Sequence, residues 1–402
     1  MKLITRRNLL ALAGTSLAGA HLTGAAQPAN LPAWDTLATK ARGQTVYFNA
    51  WGGSDAINRY IQWAAAQVLQ RHGVRVEHVK VSDAADVVKR VRNEKALAQS
   101  GSVDLVWING ENFAAMKREG LLHGPLNASL RHYALVDTVG KPTTLVDFAV
   151  PVDGMEVPWG MAQLTFMADS KRVPKPPNDL AELQAFATAN PGRVTYPRPP
   201  DFHGTTFLKQ LLLDLNKDRA PLYQPHSQAA FASATPALWN YLDALHPHLW
   251  RKGRQFAASA AAMRQMLADG ELLWALTFNP NEVANEIAAK RLSTSVVAYQ
   301  FSGGTIGNTH FVAVPFNARA KEGAILFTDF LLSPEAQARK ADIAVWGDPT
   351  VLDTQRLPAA EQALFNARPA PGQVVQSAPA IPEPHASWVS PLEQAWLQRY
   401  GT

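Results

Sequence analysis

The chain has 402 residues, 47% of them hydrophobic and 18% charged, so it can bury a sizeable core and is long enough for two lobes. Its formal net charge is +5, and removal of Lys2, Arg6 and Arg7 with an expected leader leaves about +2. That charge is too small for a nucleic-acid-binding surface. The sequence contains no cysteine, which excludes disulfides, thiolate metal sites and cysteine nucleophiles.

Residues 1–26 have the features of an export signal. Arg6-Arg7 precedes a run of small and apolar residues from Leu9 to Ala20, and Gly24-Ala25-Ala26 suits a signal peptidase. The run is too short to span a membrane, and no later segment is apolar for long enough. Paired arginines are typical of a twin-arginine signal, although a Sec signal can also contain them. We predict a periplasmic mature chain after cleavage near Ala26.

After a short proline-containing lead-in, strands and helices are predicted to alternate. The strands are predicted at Thr45 to Asn49, Val74 to Val81 and Asp104 to Ile108, and the helices at Asp55 to Arg71, Asp83 to Gln99 and around Phe113 to Arg118. Gly73 follows the first helix, as expected at a helix C-terminus. This alternation predicts an α/β lobe with a largely parallel sheet.

A second lobe is predicted after an extended segment from Pro158 to Asp169. Its predicted helices are Leu180 to Ala189, Thr205 to Leu215, Pro236 to Leu245 and Ala257 to Ala268, and its strands are Arg193 to Tyr196, Leu272 to Phe278 and Ser295 to Tyr299. Ser302-Gly303-Gly304-Thr305 is interpreted as a crossover between the lobes rather than a phosphate-binding loop. Phe311 to Pro315 then leads back to the first lobe.

The C-terminal part is predicted to begin with an amphipathic helix and a sharp break. Ser333 is expected to cap the next helix, with Pro334 in its first turn. Residues 358–391 contain seven prolines and are predicted to wrap over the surface. Ser390-Pro391-Leu392-Glu393 has the pattern of a capping box, which predicts a terminal helix starting there.

The string LLSPEAQA at residues 331–338 resembles a segment of the extracellular solute-binding proteins that serve bacterial ABC importers. Further likenesses follow in the family's order at Tyr47 to Gly53, Val103 to Gly110, Val157 to Gly160, Ala268 to Glu271 and Ala313 to Pro315. Each motif alone is common, and their ordered occurrence carries the resemblance. Within the family the chain looks most like the YnjB-like subgroup, near the thiamine, polyamine and iron(III) binders. Iron binders usually rely on adjacent tyrosines, and this sequence has no Tyr-Tyr pair.

The resemblance implies an α/β, two-lobed periplasmic binding protein fold of type II, with a hinge and a ligand cleft between the lobes. Lobe 1 is expected to comprise residues 27–158 and about 306–350, and lobe 2 residues 159–305. The lobe to which residues 351–402 belong is left open. The implied function is capture of a small polar solute and its delivery to an ABC permease with its ATPase subunit. A monomer without enzymatic activity or a cofactor is expected.

Ligands of open α/β sheets bind beyond the carboxyl ends of the strands. The predicted ligand-binding residues are Trp51, Gly52, Gly53, Ser54, Asn109, Gly110, Glu111, Trp159, Asp201, Phe202, Gly204, Thr205, Thr206, Asn279, Asn281, Trp346 and Asp348. Two helix N-termini in this set suit an anion, whereas its tryptophans and carboxylates favour a cation. A thiamine-like or phosphorylated molecule would suit both. For each segment, an ordinary turn without a ligand is the alternative.

Other classes of function are less well supported. An exported enzyme or a cofactor-holding protein on the same fold is the main alternative, and a signalling receptor domain is a third. The sequence has no G-x-S-x-G elbow, P-loop or G-x-G-x-x-G fingerprint. His246-Pro247-His248 lacks a partner at metal-ligand spacing and is interpreted as a surface turn.

Overall fold

The computed structural model describes residues 31–366, 370–374 and 378–401, so the predicted export signal and cleavage site lie outside the described residues. The helices are α1 (Leu31–Ala41), α2 (Asp55–His72), α3 (Ala84–Ala96), α4 (Gly110–Arg118), α5 (Leu180–Ala189), α6 (Phe202–Leu215), α7 (Gln228–Ala234), α8 (Pro236–Leu245), α9 (Ala260–Ala268), α10 (Glu282–Ala288), α11 (Lys321–Leu331), α12 (Pro334–Ala341), α13 (Ala359–Gln362) and α14 (Val389–Tyr400). The strands are β1 (Thr45–Trp51), β2 (Arg75–Val81), β3 (Leu105–Ile108), β4 (Leu122–His123), β5 (Val146–Asp147), β6 (Val150–Pro151), β7 (Val157–Gln163), β8 (Thr165–Asp169), β9 (Ala275–Thr277), β10 (Val296–Tyr299), β11 (Thr305–Pro315) and β12 (Ala380–Ile381).

The largest sheet has the strand order β12-β11-β3-β1-β2, and β4 and β7 also pair with β11. β1 is parallel to β2 and β3, which confirms the predicted β-α alternation, whereas β11 is antiparallel to β3 and β7. The glycine stop after α2 is also confirmed, because Gly73 has φ +69° and donates its N–H to the carbonyl of Leu69.

The hydrophobic core has two main parts, which define the two lobes used below. The core of lobe 1 surrounds the first strands and α11, with Phe48, Tyr60 and Phe327 buried. The core of lobe 2 surrounds the sheet β10-β8-β9, with Phe166 and Trp274 buried. β7 and β11 lie side by side and run from one core to the other. Their shared ladder is irregular between His310 and Phe311.

The C-terminal segment contacts both lobes. Val351 and Leu352 lie in the core of lobe 1, while Trp388 and Trp396 lie in the core of lobe 2. The predicted terminal helix is present, but the predicted capping box is wrong. α14 begins at Val389 without a side-chain cap, and its N-cap position is the buried Trp388, two residues before the predicted cap Ser390.

Several predicted elements differ from those observed. Residues 193–196 form no strand. The β-pairing next to them is a single isolated bridge between Pro197 and Ala257, which is too short to define a strand. β11 already starts at Thr305, six residues before the predicted return strand and within the predicted crossover loop. The helices α1, α7, α10 and α13 were not predicted. Three of them have seven residues or fewer, which is too short for an apolar periodicity to be detected.

Candidate ligand-binding site

The carboxyl end of β1 carries an exposed tryptophan above a tight turn. Trp51 is 39% exposed, and a Cβ on Gly53 would lie 2.3 Å from its ring, so the ring can fold over the turn only because residue 53 is glycine. Ser54 is the N-cap residue of α2, but its side chain makes no capping hydrogen bond. The first-turn amides of α2 therefore lack a side-chain partner from this serine.

The N-terminus of α4 is occupied by a carboxyl group of the same lobe. Gly110 has φ +62° and donates its N–H to Asp147 Oδ2 at 2.5 Å. Burial raises the pKa of Asp147 well above its usual value, against the effect of this hydrogen bond. The side chain of Asn109 is used internally as well, because its Nδ2 donates to the carbonyl of Thr309 at 2.6 Å. The first amide of this helix is therefore already hydrogen-bonded and is not available to an external anion.

The N-terminus of α6 in lobe 2 is filled in the same way. Asp201 Oδ1 accepts the N–H groups of His203 and Gly204 at 2.9 and 3.3 Å. Burial would raise the pKa of Asp201, but the His203 side chain and these amides hold it below its usual value. A Cβ on Gly204 would lie 2.1 Å from the carbonyl oxygen of Pro197, so glycine is required for this close packing. Phe202 beside this cap is 43% exposed.

The two threonines that follow Gly204 are buried rather than presented to a ligand. Thr205 donates its hydroxyl hydrogen to Glu393 Oε1 of α14 at 2.7 Å. Burial raises the pKa of Glu393, although this hydrogen bond and the nearby Lys209 oppose the effect. The structure thus brings a carboxylate to this site that the sequence had placed in a capping box.

Acidic side chains of α4 and α14 act on each other electrostatically, and the two helices lie close together, because Ala114 of α4 packs against a cluster that contains Val389 of α14. We define the cleft carboxylate cluster as Asp83 and Glu111 of lobe 1 together with Glu393 of α14. Glu111 keeps contact with solvent, yet the surrounding protein desolvates its carboxyl and raises its pKa to about 7. Lys209 opposes this shift, whereas the charges of Glu393 and Asp83 add to it.

Lys209, whose charge acts on both Glu111 and Glu393, is paired within the protein. Its Nζ lies 2.7 Å from Glu383 Oε2, and both side chains are 2% exposed. The same Nζ lies 4.0 Å from the centroid of the Phe148 ring. Lys209 is therefore already paired with a carboxylate of its own chain.

Trp159, Trp346 and Asp348 form a closed group around an internal cation. All three are at most 2% exposed. The Nζ of Lys340 lies 4.1 Å from the ring centroid of Trp159 and 4.3 Å from that of Trp346, and it is paired with Asp348. Burial lowers the pKa of Lys340 to about 8, against the opposing charge of Asp348. Two of the predicted tryptophans and one predicted carboxylate therefore surround a lysine of the same chain.

Asn279 and Asn281 lie at the end of β9, where they meet lobe 1 directly. Asn281 Nδ2 donates to the carbonyl oxygen of Gly347 at 2.5 Å. Asn279 Nδ2 lies 3.5 Å from the carbonyl oxygen of Trp346. Two groups that were predicted to contact a ligand from opposite lobes thus contact each other.

His246 is a core residue, so its interpretation as part of a surface turn is wrong. Its Nε2 lies 2.7 Å from the hydroxyl of Tyr196, which accepts a hydrogen bond from Trp396 Nε1. Burial lowers the pKa of His246 to about 4, and the neutral ring can accept a hydrogen bond from the tyrosine hydroxyl. Among the described residues, no three His, Asp or Glu side chains are grouped as a metal site would require. No helix in that part of the chain could span a membrane.

Comparison with known proteins places this geometry in a family. The profile of the bacterial extracellular solute-binding protein family matches residues 63–367. Protein YnjB of Escherichia coli K12 is 48% identical over 371 residues, which cover 92% of this chain and 94% of YnjB.

Solved structures of binding proteins share the two-lobed fold. AfuA of Actinobacillus pleuropneumoniae, solved with fructose-6-phosphate, is 15% identical with a TM-score of 0.61, over 89% of this chain and 99% of AfuA. The spermidine/putrescine transporter protein PotD of Streptococcus pneumoniae is 13% identical with a TM-score of 0.58, over 88% of this chain and 98% of PotD. With the match over residues 63–367, the chain belongs to the bacterial extracellular solute-binding protein family, whose members bind solutes and are not enzymes.

Proposed function

We propose that this protein is the periplasmic solute-binding component of an ABC importer and that its solute is a small organic cation. It captures the solute between the lobes and delivers it to a permease that is driven by a separate ATPase subunit. Family membership and the two-lobed fold support the binding role. The export signal predicted in residues 1–26 supports the periplasmic location.

The cleft carboxylate cluster is the observation that carries the choice of a cation. Glu111 comes from lobe 1 and Glu393 from α14, so a positive group between them is held from both sides. The exposed rings of Trp51 and Phe202 add surfaces suited to cation–π contact. Binding of this kind stabilises the closed form, because only there do both carboxylates reach the solute.

An anionic solute is less well supported by the same region. The N-termini of α4 and α6 already bind the carboxyl groups of Asp147 and Asp201. Only the α2 terminus, beside Ser54, lacks a side-chain cap among these three. A cation that also carries a phosphate, such as a thiamine phosphate, could use that terminus, so both forms of thiamine belong in the test.

The direct test is to purify the mature protein from the periplasm, denature it and identify the released small molecules by mass spectrometry. We expect a stoichiometric, chemically unchanged organic cation. Thermal-shift assays then rank classes of solute by the stabilisation that each gives. The cations are polyamines, thiamine and thiamine phosphates, and sugar phosphates are the anionic comparison. A released anion would overturn the cation assignment, and a chemically altered product would support the alternative of an exported enzyme.

Charge-neutral variants connect the result to the cluster. Glu111→Gln and Glu393→Gln should each weaken binding of the active cation about tenfold or more, since a charge-assisted hydrogen bond contributes about 1.5–3 kcal/mol. Glu77→Gln, at an exposed position of β2, is the matched control and should bind as the wild type does. Equal affinity of all four proteins would place the solute elsewhere.

A further inference from the structure

Two asparagine side chains of α10 and the preceding turn bind backbone carbonyls of a single loop. Asn281 Nδ2 donates to the carbonyl oxygen of Gly347 at 2.5 Å, and Asn285 Nδ2 donates to that of Ile343. We define the asparagine latch as these two side chains with those two carbonyl groups. Asn279 supports it from within lobe 2, because its Oδ1 accepts the N–H of Asn281 at 3.0 Å.

The two sides of the latch belong to different lobes. On the asparagine side, Val283 of α10 is buried in the core of lobe 2. On the carbonyl side, Trp346 is buried in the core of lobe 1. The hydrogen bonds of the latch therefore join the lobes directly, without a solute between them.

The loop of lobe 1 has a conformation that suits this contact. The N–H groups of Val345, Trp346 and Gly347 all donate to the carbonyl oxygen of Asp342 at 2.9 Å, which folds residues 342–347 into a compact turn. Gly347 has φ +79°, and a Cβ added there would lie 2.7 Å from the Cβ of Asn281. Glycine thus permits both the backbone conformation and the close approach of the asparagine.

The loop is also anchored to the interior of lobe 1. Asp348, which follows it, is paired with the buried Lys340 and donates its N–H to the carbonyl oxygen of that lysine at 3.0 Å. On the other side, Glu282 of α10 is paired with Arg264 and accepts from Thr277. Each partner is held within its own lobe. The hydrogen bonds of the latch therefore hold the two lobes together, and not only two mobile side chains.

We propose that the asparagine latch sets the balance between open and closed forms of the solute-free protein. A contact made only when the lobes are together favours the closed form by its full interaction free energy. Solute affinity then depends partly on residues that do not touch the solute, so Asn281 and Asn285 act as positioning residues. The inference rests on the two-lobed fold and is independent of the class of solute.

Interlobe distance in the solute-free protein tests the proposal. The chain has no native cysteine, so the exposed pair Lys89→Cys on α3 and Asn240→Cys on α8 can be labelled for single-molecule FRET. In this background, Asn281→Ala with Asn285→Ala should raise the ratio of open to closed molecules about tenfold, as expected for the loss of two hydrogen bonds. Unchanged FRET distributions would overturn the proposal.

Two further variants separate the latch from general destabilisation. Asn216→Ala is the matched control, because Asn216 Nδ2 donates to Leu212 and Ala234 carbonyls at 2.7 and 3.0 Å, all within lobe 2. It should lower stability without changing the interlobe distance. Asn281→Asp keeps the side-chain volume but turns a donor into an acceptor facing the Gly347 carbonyl, and it should also open the protein. If Asn216→Ala opens the protein as much, or if Asn281→Asp remains closed, the latch is not the cause.

Discussion

At the scale of single residues, the geometry around Lys340 shows why a glycine stands in the crossing strand β7. A Cβ on Gly160 would lie 1.8 Å from Asp348 Oδ2 and 1.9 Å from Lys340 Nζ. The lysine has little room to move away from such a Cβ, because the rings of Trp159 and Trp346 enclose it. The absence of a side chain at residue 160 is therefore a condition for the buried ion pair.

We predict that Gly160→Ala lowers the free energy of unfolding by about 3 kcal/mol, because overpacking displaces a buried charge pair. Urea denaturation measures the change. Gly303→Ala is the control, as no atom of the described residues lies within 4 Å of a Cβ built there, and its φ is not in the left-handed region. Equal stability of the two variants would mean that the ion pair relaxes without cost.

The titration of Glu111 gives a second prediction at this scale. Desolvation raises its folded-state pKa to about 7, above its ordinary value of 4.5. The folded protein thus binds more protons than the unfolded chain between these values, so stability from this group is lost as the pH rises through that range. The difference in melting temperature between the wild type and Glu111→Gln should fall from about pH 4.5 to pH 7 and stay constant above pH 7. A constant difference across that range would contradict the shifted pKa.

At the scale of elements, two serines with similar sequence contexts have different roles. Both were predicted to be N-cap residues of the helices that follow them. Ser333 does cap α12, where its Oγ accepts the N–H of Ala336 at 3.3 Å. Ser390 lies inside α14, where its Oγ accepts from Gln394 Nε2 at 3.2 Å. Tertiary packing of Trp388 moved the helix start, and local sequence could not indicate this.

We predict that Ser333→Ala lowers the free energy of unfolding by about 1 kcal/mol, the usual contribution of an N-cap side chain. Ser390→Ala serves as its comparison and should change stability by less than about 0.5 kcal/mol. Urea titrations of both variants, analysed with a common slope, give the values. A larger loss for Ser390→Ala than for Ser333→Ala would reverse this assignment of caps.

At the scale of the whole molecule, the C-terminal segment connects the two lobes and completes lobe 2. Glu383 pairs with Lys209, and Trp396 is fully buried while donating to the hydroxyl of Tyr196 at 2.8 Å. Residues distant in sequence thus provide both a core side chain and one carboxylate of the cleft. Damage to α14 should accordingly affect folding and solute binding together.

Trp396→Ala should lower the free energy of unfolding by about 3–5 kcal/mol, because it leaves a large cavity and removes a donor from Tyr196. Chemical denaturation followed by circular dichroism measures the loss. Gln398→Ala, an exposed change two residues away, is expected to be close to neutral. A loss below about 1 kcal/mol for Trp396→Ala would show that α14 is dispensable for lobe 2.

The sequence alone was sufficient for the features that depend on neighbouring residues. Apolar spacing predicted α2, α5, α8 and α11, and the glycine after α2 predicted its end, because these signals act within one or two turns. The ordered motifs also identified the family. Exposed residues at strand ends, such as Trp51 and Glu111, followed from the rule for open sheets and remain predicted ligand contacts.

Only the tertiary structure determined which of the chemically suitable groups remain available. Lys340 lies between the rings of Trp159 and Trp346, where a ligand cation was predicted. Asp147 and Asp201 bind the amides of two helix N-termini. Glu393, on a helix distant in sequence, acts on the same region as Glu111. Asp201 is encoded locally, because it caps its own helix through amides two and three residues later. The other pairings join distant residues, with 37 positions between Asp147 and Gly110 and 181 positions between Lys340 and Trp159. No local spacing encodes them, because they depend on how the two lobes and the C-terminal segment pack against each other.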